Sequence, residues 1–92
     1  LQADEMIISE FDYSSNAKIL MEQLLKEGSY DASVFQKLNA TEQSILNTML
    51  ALSTDNKGDD RIDDKRTIAF AYGAQFSFTE AILYAGAVGL HF

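Results

Sequence analysis

The feature that most restricts this chain is one it lacks. None of its 92 residues is proline, although average usage of about 5% would place roughly four or five in a chain of this length. Proline has no backbone N–H and clashes with the preceding helical turn, so a chain without it is free to run as helix almost anywhere. There is no cysteine either, which removes disulfides and thiolate metal sites from the possible supports of the fold. What remains is apolar burial, arranged between well-marked helix ends.

Those ends are legible. Ala17, Leu20, Met21, Leu24 and Leu25 recur at the spacing of one helical face. Ser14, Ser15 and Asn16 precede them as N-cap candidates and Gly28 follows as a stop. Asp31 opens a short segment with Val34, Phe35 and Leu38 facing inward. Asn39 and Glu42 then form a capping-box pair ahead of Ile45, Leu46, Met49, Leu50 and Leu52. A further helix is expected from Thr67 to Phe76, with Ile68, Ala69, Tyr72 and Phe76 on one side, although Gly73 weakens it. Ser77 and Glu80 repeat the capping pattern before a last apolar helix. Residues 1–13 fit a helix through Ile7 and Phe11, with a strand through "MII" as the alternative. The expectation is an all-α fold: one domain over residues 1–92, a compact bundle of four to five short helices. The alternative adds a small N-terminal hairpin.

Apolar residues make up 47% of the chain and charged residues 23%, the balance of a globular domain. Fourteen acids against seven bases give a net charge of −7. A nucleic-acid binder neutralises phosphates with clustered Lys and Arg, and no basic cluster free of acids occurs here. Nucleic acid is therefore not an expected partner, and the same argument disfavours an anionic membrane surface. A basic partner protein is the natural complement. The start at Leu1, with no basic-then-apolar leader, reads as a domain excised from a longer protein. The acidic, cysteine-free composition suggests a bacterial secreted or regulatory protein, with cytoplasmic and secreted locations both open.

The most polar stretch runs from Asp55 to Arg66, where nine of twelve residues are charged. Asp55, Gly58, Asp59, Ile62 and Asp63 stand at the first, fourth, fifth, eighth and ninth places of that stretch. With a helix expected on each side, it resembles the calcium loop of the EF-hand family. The resemblance implies calcium as a ligand and Asp55, Asp59 and Asp63 as the residues that hold it. The stretch departs from the family pattern at Lys57 in the third place, Asp60 where the turn wants glycine, and Arg66 in place of the bidentate Glu. The leading expectation is nevertheless a solvated interhelical turn that binds no cofactor, with Asp63 and Asp64 favouring the dipole of the next helix; a degenerate EF-hand loop that keeps its shape but not its metal comes next, ahead of calcium binding.

From Thr67 to Phe92 there is one acid, Glu80, and neither Lys nor Arg. Ala81, Ala85 and Gly89 are spaced by four and form a ridge of small residues that lets another helix approach closely. This segment is expected either to fill the core or to meet a partner, and Ala81, Tyr84, Ala85 and Gly89 are the partner-binding candidates. A membrane-active hairpin over residues 67–92 is a further alternative. Its uninterrupted apolar run, Ala81 to Leu90, is ten residues, against about 20 for a membrane span.

No arrangement points to catalysis. The one histidine, His91, is next to last, and the five glycines are scattered rather than gathered into a phosphate-binding loop. The functional expectation is a non-enzymatic helical protein-interaction domain that binds another protein or the remainder of its own longer chain.

Overall fold

The computed structural model describes residues 2–55 and 60–91, with side chains over residues 4–53 and 65–87. Among them are six helices and no strand: α1 (Gln2–Ser9), α2 (Ser15–Glu27), α3 (Ala32–Phe35), α4 (Ala40–Asp55), α5 (Asp60–Ala74) and α6 (Phe78–His91). The fold is all-α. It has more helices than expected because the ambiguous N-terminal segment is helical and the short piece after Asp31 forms a turn of its own.

α1 is anchored by Ile8, which is wholly buried. Asp4 and Glu5 lie in its first turn, where the helix dipole favours negative charge. Lys18 Nζ donates to Ser9 O (2.9 Å) at the other end, and Lys26 pairs with Glu5 at 2.6 Å. That pair is partly exposed, so its net contribution is small. Burial of Ile8, at about 1.5–3 kcal/mol, is the larger reason for α1 to dock.

α2 follows the sequence pattern. Ser14 caps it by accepting from Ala17 N, and Gly28 ends it with φ +78°, a left-handed conformation that a Cβ would strain. Ala17, Leu20, Met21 and Leu24 face the core. Asp31 Oδ1 accepts from Ser33 N (2.9 Å) to start α3, and Tyr30 stacks on Phe35 across it, ring centres 5.4 Å apart.

The start of α4 contains a departure from the expected capping box. Asn39 Oδ1 accepts from Glu42 N (2.8 Å) as the pattern requires. The Glu42 carboxylate, however, turns to another helix: Oε2 accepts from Ser14 N and Oε1 from Ser14 Oγ, both at 2.9 Å. Glu42 is buried, and one side chain thereby ties the start of α4 to the N-cap of α2. The adjoining segment is held by α5 and the turn after it. Tyr13 Oη donates to Ala71 O (2.7 Å), and Asp12 N donates to Gln75 Oε1 (2.7 Å). Burial pushes the Tyr13 hydroxyl well above the usual tyrosine range, with Glu42 and then Asp12 adding to the shift.

α5 starts at Asp60, seven residues before the expected Thr67, so part of the charged stretch is helix rather than turn. The sequence allows it: no glycine separates Asp59 from Tyr72, and acids lead the helix, where the dipole favours them. The inward side of α5 is Thr67, Ile68, Phe70 and Ala71, whereas Tyr72, and Phe76 just beyond the helix, stay exposed. Gly73 is required by packing. A Cβ built there would lie 2.6 Å from Glu80 O and 2.7 Å from Ala81 N and Cα, so the backbones of α5 and α6 meet directly. α6 starts with Ser77 Oγ accepting from Glu80 N (3.0 Å) and buries Ala81 and Ala85.

The core runs through Phe11, Leu20, Leu24, Leu46, Met49 and Phe70. The radius of gyration is 12.0 Å, close to the roughly 12 Å of a compact chain this long, so the α5–α6 hairpin folds back onto the rest. Among the described residues, no helix is long and apolar enough to cross a membrane.

Candidate interaction groove

α1 packs on α2, and α5 packs on α4 and α6. Between α1 and α5 an apolar groove stays open. Its first hollow, about 390 Å³, lies between Asp4 and Ile7 of α1 and Lys65, Ile68, Ala69 and Tyr72 of α5, with Tyr84 of α6 at the rim. The second, about 360 Å³, continues past Ile7 and Tyr72 to Glu10, Phe11, Gln75 and Phe76. Residue numbers rise in the same direction along both walls. The groove therefore follows the side of α5 that carries Ile68, Ala69 and Tyr72 and continues to Phe76 in the turn beyond it, the residues the sequence marks as one apolar side.

Its ridge is aromatic. The Tyr72 ring lies 5.0 Å from Tyr84 and 5.4 Å from Phe76, both edge-to-face, and 6.2 Å from Phe11. Mutual contact holds these rings in place without hiding them: Tyr72 and Tyr84 are each 40% exposed and Phe76 62%. Ile7, 46% exposed, faces them from α1. α5 is thus apolar on two sides. Phe70 and Ala71 fill the core, while the second side lines the groove.

The sequence candidates fall in different environments. Ala81 and Ala85 are buried and Tyr84 is on the surface; the surroundings of Gly89 lie outside the described residues. The small-residue ridge is in use inside the molecule, since Ala81 meets Gly73 of α5. α6 is not enclosed on every side: Phe78, Ile82 and Leu83 face outward along with Tyr84. Spacing alone did not reveal Ile7, Tyr72 and Phe76 as surface residues. For Tyr72 the one signal was that α5 has more apolar residues than one core-facing stripe can use.

Of the calcium-ligand candidates, Asp55 is the last residue of α4 and Asp63 lies in the first turn of α5. Asp59, and the side chains of Asp55 and Asp63, lie outside the described residues, as does the His91 side chain. Among the described residues, no group of three or more acidic or histidine side chains is placed to hold a metal ion.

Comparison of the chain with protein-family models, with curated proteins and with solved structures gives no match.

Proposed function

We propose that this chain is a non-enzymatic helical protein-interaction domain and that the groove between α1 and α5 is its docking surface. The observation that carries the proposal is the Tyr72–Phe76–Tyr84 cluster, in which two rings pack on Tyr72 yet all three are at least 40% exposed. Aromatic side chains give large contact areas with few rotors to immobilise, and they dominate the energetics of protein interfaces. The two hollows beside Tyr72 supply the concave surface such contacts need. Tyr84 is common to this surface and to the partner-binding residues expected from sequence. Ala81 and Ala85 support it from behind by holding α6 against α5.

Selection of a random peptide library on the domain tests the proposal. Peptides that bind the wild-type domain are expected to bind the folded Phe76→Ser, Tyr84→Ser double variant at least about ten-fold more weakly, the effect of losing one well-packed interface side chain. Equal binding to both proteins would place the docking surface elsewhere.

A further inference from the structure

Resting on the groove described above, we infer that its occupant is an amphipathic helix of another polypeptide, carrying Lys or Arg at the end that lies beside Glu10 and Phe76. The argument for a helix starts from the walls. Both are formed mainly by helices, and those walls present Ile7, Ile68, Ala69 and Tyr72, none of which offers a row of unpaired backbone groups. An extended segment laid there would lose water from its own N–H and C=O groups without gaining partners. A helix satisfies those groups internally and needs only an apolar stripe, the helix-in-groove mode of recognition. The groove follows α5 and the turn beyond it from Lys65 to Phe76, roughly 16 Å at helical rise, which matches three turns of such a helix.

Charge supplies the polarity. The end at Asp4 already has a base, Lys65, in its opposite wall. The end at Glu10 has no cation in its lining: its other residues are Phe11, Tyr72, Gln75, Phe76 and Ile7. Glu10 is exposed, and among the described residues it makes no ion pair. A base placed there meets a carboxylate and the face of an exposed Phe76 ring together, so attraction to the charge and to the ring adds. The chain's net charge of −7 steers such a segment toward the domain and disfavours a second copy. α6, which among the described residues turns Phe78, Ile82, Leu83 and Tyr84 outward, also has no Lys or Arg to offer.

The test uses the whole chain and three synthetic amphipathic helices of about 14 residues. They share one apolar face and end in Lys, Gln or Glu. Binding is read by fluorescence anisotropy near 50 mM salt and again near 500 mM, where charge contacts are screened. The Lys peptide is expected to bind about five-fold more tightly than the Gln peptide, the upper range for an exposed ion pair. The Glu peptide should bind most weakly, and the differences should shrink at high salt. Glu10→Lys should reverse the order of the Lys and Glu peptides while leaving the Gln peptide unchanged. Equal binding of all three peptides, or an order that Glu10→Lys does not alter, overturns the charge inference and leaves the groove standing. Binding of no peptide, or binding that Phe76→Ser leaves intact, overturns the groove itself. Self-association of the peptide-free domain, lost in Phe76→Ser, assigns the groove to a second copy and also overturns the inference.

Discussion

The two halves of this molecule are held together by different means. Around α2 and α4, large side chains fill the interior: Leu20, Met21, Leu24, Leu46 and Met49 are all essentially inaccessible. The polar groups at the helix starts are tied through Glu42 and Ser14. In the α5–α6 hairpin the closest contact is made by small residues. Gly73 and Ala81 bring the two backbones together, Ala85 continues the contact, and the large side chains Tyr72, Ile82, Leu83 and Tyr84 are left on the outside. The first half uses its apolar residues for stability. The second brings two backbones together at Gly73 and Ala81, flanks that contact with the Phe70–Phe78 and Tyr72–Tyr84 ring pairs, and leaves several of its larger residues on the surface. A close backbone contact thus leaves a single helical pair with apolar side chains exposed on its outer side.

The comparison makes opposite demands on substitution, and the largest expected effect is a cavity in the first half. Leu46→Ala should lower unfolding free energy by about 2–5 kcal/mol in urea denaturation, because the wholly buried site cannot collapse fully around the missing atoms. A loss under about 1 kcal/mol would mean that this half is not the tightly packed one.

The second half should fail by overfilling. Gly73→Ala ordinarily strengthens a helix interior by roughly 0.5–1 kcal/mol. Here the added methyl meets the backbone of Glu80 and Ala81, so the sign should reverse to a loss of about 1–3 kcal/mol. Gly86→Ala is the control: nothing lies within 4 Å of the point where its Cβ would stand, and it should give the ordinary gain of roughly 0.5–1 kcal/mol. If both substitutions stabilise, the hairpin does not close through Gly73.

Glu42→Gln sharpens the polar side of the comparison. Glutamine keeps one acceptor oxygen where the carboxylate presents two to Ser14. The expected loss is about 1 kcal/mol, the scale of a helix cap. It should be absent in Glu80→Gln, whose side chain is exposed. Equal effects from the two would show that Glu42 does not tie α2 to α4.

Alkaline unfolding tests where the halves join. The Tyr13 hydroxyl donates to Ala71 O, and burial raises its pKa in the folded protein. The phenolate is therefore disfavoured in the fold. The stability that Tyr13 contributes is fully present below the unfolded tyrosine value of about 10 and declines as pH rises beyond it. Tyr13→Phe should be less stable at neutral pH and should show a shallower decline above pH of about 10. An unchanged alkaline slope would remove Tyr13 from the junction.

The smallest expected effect on stability is that of Phe76→Ser, within about 0.5 kcal/mol, because the ring is largely exposed. A larger loss would assign Phe76 to the fold rather than to recognition and would narrow the contrast between the two halves.

The sequence by itself determined the helical class and most helix ends. Those signals are local: an apolar stripe at 3.6-residue spacing, a side-chain oxygen three residues before the N–H it caps, and a glycine free to take positive φ. That is why Ser14, Asn39, Ser77 and Gly28 occupy the expected positions. The tertiary structure decided what periodicity cannot express. Glu42 was legible as a capping residue, but its direction toward Ser14 depends on where α2 lies. Gly73 looked like a weakness in its helix until Ala81 was brought against it. α5 shows two apolar sides in sequence, and only the packing of α4 and α6 decides that Phe70 goes inward while Tyr72, with Phe76 in the turn beyond, lines the groove. Burial is a property of neighbouring elements: a single helix specifies which residues share a side, and the helices around it determine which side is covered.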